Sequence, residues 1–533
     1  MQYTPGPGSR LPRRRLPTRY DRRRVARRRG FVAFVVVALL AIGWFAWPSG
    51  GTGSPRASGS KGGHGSHGGK DGGGQTSPSP QIPANAPIKH VVFVVKENRT
   101  FNNFFATYPG AEGATEGGTI RCTSNGCTDG PTVKLTHAPD VQAHDLTHCF
   151  RCGLVAINGG KMNGFNWMNG PVDISSDLTD EYGHDLSGYD YYDRSSLPHY
   201  WAYADRFVLA DHFFTPMYGP TLPEHLYAVA AQSNWIVDNK GTADHPGSYC
   251  DDPTEYTSRF DPHLSDAERK QIMSTEWHIT HSGSGWFDVA DHWQKIRLCF
   301  DIKVLPDELE KAGISWRYYA NFDAWQNALQ MIHHVRFGPM WHDVRNPDLF
   351  TRDVKDGHLA HVSWVIPPES YNDHPGAGKS VCAGENWFVN LVNTVMQSKY
   401  WRSTAIVVVW DDFGGFYDPV VPPHEDIMGL GPRTPALIIS PYTKQGDNPD
   451  GGTVDHTTYE FSSVLAFIEQ VFGLPAMTER DAQADPLTGA FDFAHPDFDK
   501  LILPLRTDCP YGTSLSQLGP GWPFARTIGS PGD

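Results

Sequence analysis

Two carboxylate-bearing pairs in this chain stand immediately after apolar runs. Glu97 and Asn98 follow residues 91–95 within IKHVVFVVKENRTFNNFF, and Asp411 and Asp412 follow AIVVVW at 405–410. A third run, residues 362–366, leads into PPESYNDHPG and so to His374. Carboxylates at two strand ends with a histidine at a third make a set suited to a hard cation or a phosphate. A hydroxyl joins them: Thr221, in GPTLPEHLY, stands where a helix should begin. Near a cation, the helix dipole and the ion both favour its alkoxide, which makes it a ready nucleophile. The same threonine fits a capping box with Glu224, and Pro223 suits a first helical turn. The two readings are compatible.

These groups need rigid supports. The runs at 91–95 and 405–410 are continuous and rich in β-branched residues, which predicts strands buried on both faces of a parallel sheet. Chemistry gathers beyond the carboxyl ends of such strands. After Thr221, the residues Leu222, Leu226, Val229 and Ala230 share one side of a predicted helix. A further helix is expected after His456, with Val464, Phe467, Ile468 and Val471 facing the core and Thr457 or Thr458 near its cap. His456 itself is a secondary ligand candidate. His333, His334 and His361 read as packed or solvent-facing. The aromatic run at 187–207 reads as core packing, with a cation–π pocket for a choline-like group as the alternative.

The first 29 residues carry eleven arginines and one aspartate, so the remaining chain bears about −24 of a total of −14. Residues 31–47 are uncharged and almost wholly apolar, at the lower limit for crossing a bilayer. Arginines before that stretch predict a cytoplasmic N-terminus. No small-x-small cleavage site precedes Ser49, so an uncleaved anchor at 30–47 is preferred to an export signal, although Arg28-Arg29 faintly resembles a twin-arginine signal. Residues 48–87 are Gly, Ser, Pro, Lys and His and cannot bury enough surface to fold. The expected organisation is a basic cytoplasmic segment (1–29), the anchor, this linker, a catalytic domain at 88–476 and a C-terminal extension at 477–533. All eight cysteines lie beyond the anchor. An even number there favours disulfides, with a four-thiolate zinc site at Cys122, Cys127, Cys149 and Cys152 as the rival reading. The acidic balance argues against nucleic acid.

Eight ordered blocks resemble a known family, the bacterial phosphoesterases that include phospholipases C and certain acid phosphatases, within the alkaline-phosphatase-like superfamily. They are the block at 88–105, NGGKMNGF, GPTLPEHLY, LEKAGISWRYY, VSWVIPPESYNDHP, VVVWDDFGGFYDPVVPP, RTPALIISPY and DHTTYEFSSVLAFIEQVFGLP. The resemblance implies an α/β/α sandwich around a mostly parallel sheet and hydrolysis of a phosphate ester at one metal centre or a close pair. Position by position, it implies metal ligands at Glu97, Asn98, Asp411, Asp412 and Thr221, with Thr221 the nucleophile. Asn98, His148 and His374 are the implied phosphate-facing groups, His144 being a rival to His148. Three positions depart from the family pattern: Asn102 for Asp, Glu224 for Asn, which would add a charge near the phosphate, and Asp418-Pro419 for Asp-His.

The implied reaction is attack in line at phosphorus, a phospho-threonine intermediate, and expulsion of an alcohol protonated by His374 or His148. A mostly oxygen ligand set leaves Mg²⁺, Ca²⁺, Mn²⁺ or Zn²⁺ as the divalent ion. The substrate is expected to be a phospholipid diester, with a phosphomonoester as the alternative and a non-catalytic binding protein as the least favoured reading. The catalytic domain is expected outside the cytoplasmic membrane.

Overall fold

The two long apolar runs form neighbouring central strands of one sheet. The computed structural model describes residues 81–123, 126–168, 186–241, 248–276, 289–322, 324–376 and 378–509. Its main sheet contains β1 (His90–Lys96), β2 (Val208–Ala210), β3 (Trp316–Tyr319), β4 (Val344–Arg345), β5 (Val362–Val365), β6 (Thr404–Trp410), β7 (Ala436–Ile439) and β8 (Thr453–Asp455). The strand order is β4-β3-β5-β1-β6-β7-β2-β8. Only the pairings of β7, with β6 and β2, are antiparallel; the other five are parallel. In the β1–β6 register His90 faces Thr404 and Lys96 faces Trp410, so both strands end at one level. Glu97 and Asp411 therefore leave the sheet side by side.

Alternate side chains of a strand point to opposite faces. Val91, Phe93 and Val95 enter one core with Val407 and Val409, beneath Leu222 and Leu226 of α4 (Thr221–Ala230) and Val464 and Phe467 of α6 (Phe461–Phe472). Val92 and Val94 enter the other with Ile406 and Val408, beneath Tyr200 and Tyr203 of α3 (Pro198–Arg206) and Phe388 and Val392 of α5 (Val381–Gln397). This is the expected α/β/α arrangement. Fully burying an aliphatic or aromatic side chain contributes roughly 1.5–3 kcal/mol, so β1 and β6 are firmly held and give the groups at their ends a fixed origin. Helix α1 (Phe101–Phe105) follows β1 directly, with Thr100 capping it by accepting from the Asn103 amide, and α2 (Phe150–Ile157) is the next helix along the chain. The chain enters the domain before β1, since Ile82 is buried in the first core and its amide donates to Gln470.

The strand end is fixed by a buried ion pair that the sequence did not announce. Lys96 Nζ lies 2.7 Å from Asp373 Oδ2 and donates to the Tyr200 hydroxyl and the Gly384 carbonyl. Arg99 donates twice to the Asp373 carbonyl, and the Glu97 amide donates to the Asn372 carbonyl. The loop carrying His374 is thereby tied to the end of β1. Removing one partner of a buried pair strands the other charge, at a cost of about 3–5 kcal/mol. Lys96→Met is accordingly expected to lower unfolding free energy by about that amount, read as a lower urea midpoint with an unchanged m-value.

Disulfides join Cys149 to Cys152, Cys250 to Cys299 and Cys382 to Cys509, and Cys127 is also disulfide-bonded. The four-thiolate zinc reading is thus incorrect: oxidised sulfurs carry no thiolate to give a metal. The Cys382–Cys509 bond, with Asn386 donating to the Arg506 carbonyl, packs the C-terminal extension on α5. The cap of α6 is Glu460, not Thr457 or Thr458. His456 Nδ1 instead lies 2.8 Å from Asp211 Oδ1, away from the carboxylate cluster. The aromatic run follows its packing reading, with Tyr200, Trp201 and Tyr203 in the second core. Among the described residues no helix is long and apolar enough to cross a membrane. The basic segment, the anchor at 30–47 and the linker up to residue 80 lie outside the described residues, as does the tail from 510.

Candidate active site

Beyond the ends of β1 and β6 the backbone turns sharply and folds back on itself. Asn98 takes a left-handed conformation (φ 58°), and its amide donates to Asp411 Oδ1 at 2.8 Å. The same oxygen accepts from the Asp412 amide, while Asp412 Oδ1 accepts from the Gly414 amide, both at 2.7 Å. Gly414 has φ +57°, and a Cβ there would meet the Asn98 carbonyl oxygen at 2.3 Å. Only glycine lets the two strand-end loops close on each other.

Thr221 is the first residue of α4, but Pro220 is the N-cap and no side chain caps the helix. The capping-box reading of Thr221 is therefore incorrect. Its hydroxyl donates to Asp412 Oδ2 at 3.2 Å. Gly219 sets the turn before it, with φ +95° and a phantom Cβ 2.5 Å from the His148 carbonyl oxygen, so the turn packs directly on the His148 segment.

His148 Nδ1 lies 2.6 Å from the Leu146 carbonyl oxygen, which orients the ring. Its Nε2 is 3.3 Å from the Asn98 side-chain nitrogen and 3.9 Å from Asp412 Oδ2. His374 packs edge-on against it, the ring centroids 6.4 Å apart, and Asp145 lies 3.8 Å from each imidazole. The structure thus brings together Glu97, Asn98, Thr221, Asp411, Asp412, His148 and His374, while the secondary candidate His456 lies against Asp211.

The two histidines differ in charge. Burial opposes protonation of His148, but Asp412 and Asp145 outweigh it and hold the ring up at about 9. Burial dominates at His374 and pushes it down to about 4, against the pull of Asp145. At neutral pH one is an imidazolium and the other a neutral ring.

The carboxylates are buried together. Burial, with Asp412 nearby, pushes Glu97 up to about 8, and burial with Asp412 and Glu97 raises Asp411 far above the usual carboxylate range. Burial raises Asp412 as well. Glu97 Oε2, Asn98 Oδ1 and Asp411 Oδ2 are buried acceptors without a hydrogen-bond partner. Orphaned buried acceptors are costly. A divalent cation would supply the missing positive charge, so the donor set fits one. Glu97, Asn98, Asp411, Asp412 and Thr221 would hold it.

His225, one turn after Thr221 on α4, is the member that sequence reasoning missed. Its Nε2 is 3.2 Å from Glu97 Oε1 and 3.7 Å from Asp411 Oδ2. The i, i+4 spacing from Thr221 was the available signal, since it places both side chains on one helix face. Burial pushes His225 down, so the ring is neutral. The charge expected of Glu224 is opposed: both its oxygens are buried without partners, and burial with Asp412 and Asp411 nearby raises it far above the usual carboxylate range. Asn102 binds Ala114 through both its amide groups and is a structural anchor. Asp418, the residue before the departing Pro419, pairs with Arg433 at 2.9 Å.

The site thus holds a hydroxyl against clustered carboxylates at parallel strand ends, with a histidine opposite and a buried donor set that could hold a cation. The chain belongs to the Phosphoesterase family, whose profile matches residues 88–475. It is 25% identical over 463 residues to the hemolytic phospholipase C of Pseudomonas aeruginosa, covering 79% of this chain and 58% of that protein. Phospholipase C B of Mycobacterium tuberculosis is 26% identical over 483 residues, covering 77% and 78%. Non-specific phospholipase C1 of Arabidopsis thaliana is 30% identical over 244 residues, 40% of this chain and 42% of that one. A solved structure of a protein in the alkaline phosphatase superfamily from Vibrio parahaemolyticus overlaps 77% of this chain and 72% of its own, at 12% identity and a TM-score of 0.31, too distant to bear on the fold.

Proposed function

We propose that this chain is a metal-dependent phosphodiester hydrolase of the phospholipase C type that works through a phospho-threonine intermediate. The observation that carries this reading is the Thr221 hydroxyl, which is free of any capping role and held 3.2 Å from Asp412 Oδ2. The relatives named as phospholipases C supply the substrate class. A bound divalent ion neutralises phosphoryl oxygens and favours the ionised hydroxyl.

Thr221 Oγ1 attacks phosphorus as Asp412 accepts its proton. The bond from phosphorus to the lipid alcohol breaks, and the leaving oxygen takes a proton from the His148 imidazolium. In the second half, water attacks the phospho-threonine and gives its proton to the now neutral His148, and Thr221 leaves with the proton returned by Asp412. The products are a lipid alcohol and a phosphorylated head group. His374, neutral, lines the same side and offers nitrogen to the substrate's polar part.

The general acid must be protonated to act, so turnover of an alkyl diester is expected to fall as pH rises through the His148 pKa. A cation drawing on Asp412 places that limb at or below about 9. In His148→Asn the limb should vanish and kcat fall by about 10²–10⁴-fold. With a p-nitrophenyl ester, whose leaving group departs without protonation, kcat/KM, which reads the first step alone, should fall less than about tenfold in the same variant, while kcat also carries the loss of His148 as base in the second step. Equal losses in kcat/KM on both substrates would remove His148 from the acid role.

The reading as a whole is tested with the full chain in non-ionic detergent, given p-nitrophenyl phosphorylcholine and p-nitrophenyl phosphate side by side. Preference for the diester supports the phospholipase C type; preference for the monoester replaces it with the acid-phosphatase type. We also propose that residues 30–47 anchor the enzyme in the cytoplasmic membrane with the domain outside. The disulfides, which persist in oxidising compartments, support this placement. Digestion of the domain by protease added to intact cells tests it; full protection would place it inside.

A further inference from the structure

We infer that His225 Nε2 is a direct ligand of the ion at the carboxylate cluster, and that this nitrogen favours a borderline transition-metal ion such as Zn²⁺ over Mg²⁺ or Ca²⁺. The inference rests on the metal-dependent reading above and adds to it a ligand and a class of ion.

Glu97, His225 and Asp411 each offer one ligand atom, all three within 4.8 Å of one another, and all three residues are buried. The ring is brought there by helix geometry: the start of α4 is fixed by Thr221 on Asp412, and one turn later His225 meets the remaining free carboxylate oxygens. No rotamer pointing elsewhere is needed.

Hydrogen bonding alone leaves the cluster unsatisfied. One imidazole proton at Nε2 serves Glu97 Oε1 at 3.2 Å, yet Glu97 Oε2 and Asp411 Oδ2 keep no donor. With a cation facing Nε2 the proton resides on Nδ1, which is buried without a partner, and the ring offers its lone pair; that one unsatisfied N–H is set against two carboxylates that gain the positive partner they lack. A neutral ring is the form that binds metal.

Ion choice follows from donor type. Carboxylate, amide and hydroxyl oxygens alone suit Mg²⁺ and Ca²⁺, whereas imidazole nitrogen suits Zn²⁺ and its first-row neighbours. A buried nitrogen among oxygens therefore gives the later ions an advantage that an all-oxygen ring would not.

The test is electron spin-echo modulation on the full chain, stripped with chelator and loaded with Mn²⁺. The expected result is modulation from a directly bound imidazole ¹⁴N, lost in His225→Gln although Mn²⁺ still binds. Should His225→Gln fail to fold, the His148→Asn/His374→Asn double variant, which removes the two neighbouring imidazoles, should retain the modulation. Zn²⁺ affinity should fall about 10–100-fold in His225→Gln, a loss on the scale of disturbed metal shells, with Mg²⁺ affinity changed by less than about threefold. Bound Mn²⁺ without ¹⁴N modulation, or modulation that survives His225→Gln, overturns the inference and leaves the phosphoesterase reading standing. A chain that hydrolyses the diester at full rate after stripping, and binds no Mn²⁺, overturns the metal-dependent reading itself.

Discussion

Thr221→Ala is expected to lower kcat by about 10⁴–10⁶-fold, the scale seen when a nucleophile is removed from a group that acts as a unit, while the protein stays folded. The two halves of this result belong together. Had the hydroxyl capped α4, its loss would cost roughly 1 kcal/mol of stability and activity would fall only indirectly. The cap position is occupied by Pro220, and the one hydrogen bond lost is that to Asp412. Relief of crowding among the buried carboxylates offsets part of that loss, so the thermal midpoint should shift by no more than a few degrees. Thr221→Ser keeps the hydroxyl and should retain measurable turnover. Mass spectrometry of wild type quenched during turnover should find phosphate on Thr221 and on no other residue. Activity that survives Thr221→Ala would assign attack at phosphorus to water and leave Thr221 a positioning role only.

Much of the site was legible because its members sit at points the backbone makes conspicuous. Apolar runs that stop on Glu97 and on Asp411 announce two buried strands with polar ends, and the register that pairs Lys96 with Trp410 turns that coincidence of pattern into adjacency. Thr221 was legible through the glycine and proline before it, although local pattern favoured a cap and only the fold could give the hydroxyl another partner. What escaped were groups whose role depends on a distant segment. Nothing near Lys96 says that a charge ending a strand will be buried on Asp373, some 277 positions later. His225 looks like any helix histidine until Glu97 and Asp411 are brought over it. Glu224 shows the converse difficulty: a formal charge read from sequence is opposed once burial and two neighbouring carboxylates raise its pKa.

Stripping the ion should abolish hydrolysis and at the same time reveal an electrostatic burden that Asp411→Asn relieves. In the metal-free protein Glu97, Asp411 and Asp412 share one buried site, and each is harder to ionise than a free carboxyl. The folded state then holds protons that the unfolded chain releases. For Glu97 the ordinary value is 4.5 and the folded value about 8. A group raised in this way contributes stability that is fully present below the unfolded pKa and lost as pH rises through the folded one, with a slope of up to about 1.4 kcal/mol per pH unit for each proton. The metal-free protein should therefore lose stability between about pH 5 and pH 8. Asp411→Asn removes one of the repelling charges while its remaining oxygen can still accept from the Asn98 and Asp412 amides. The substitution should raise the metal-free unfolding free energy at pH 7.5 by about 1–3 kcal/mol, the upper part of the usual mutational range but opposite in sign, and flatten the pH slope. Zn²⁺ or Mn²⁺ at one hundred times its dissociation constant should stabilise the wild type by about 2.7 kcal/mol and the variant by much less, since the variant gives up a charged ligand. Denaturant unfolding at several pH values, with and without metal, reads all of these shifts. A metal-free wild type whose stability does not fall over this pH range, or an Asp411→Asn protein less stable than it, would mean that the carboxylates are not crowded in the absence of an ion, and the case for a cation at this cluster would lose its electrostatic basis.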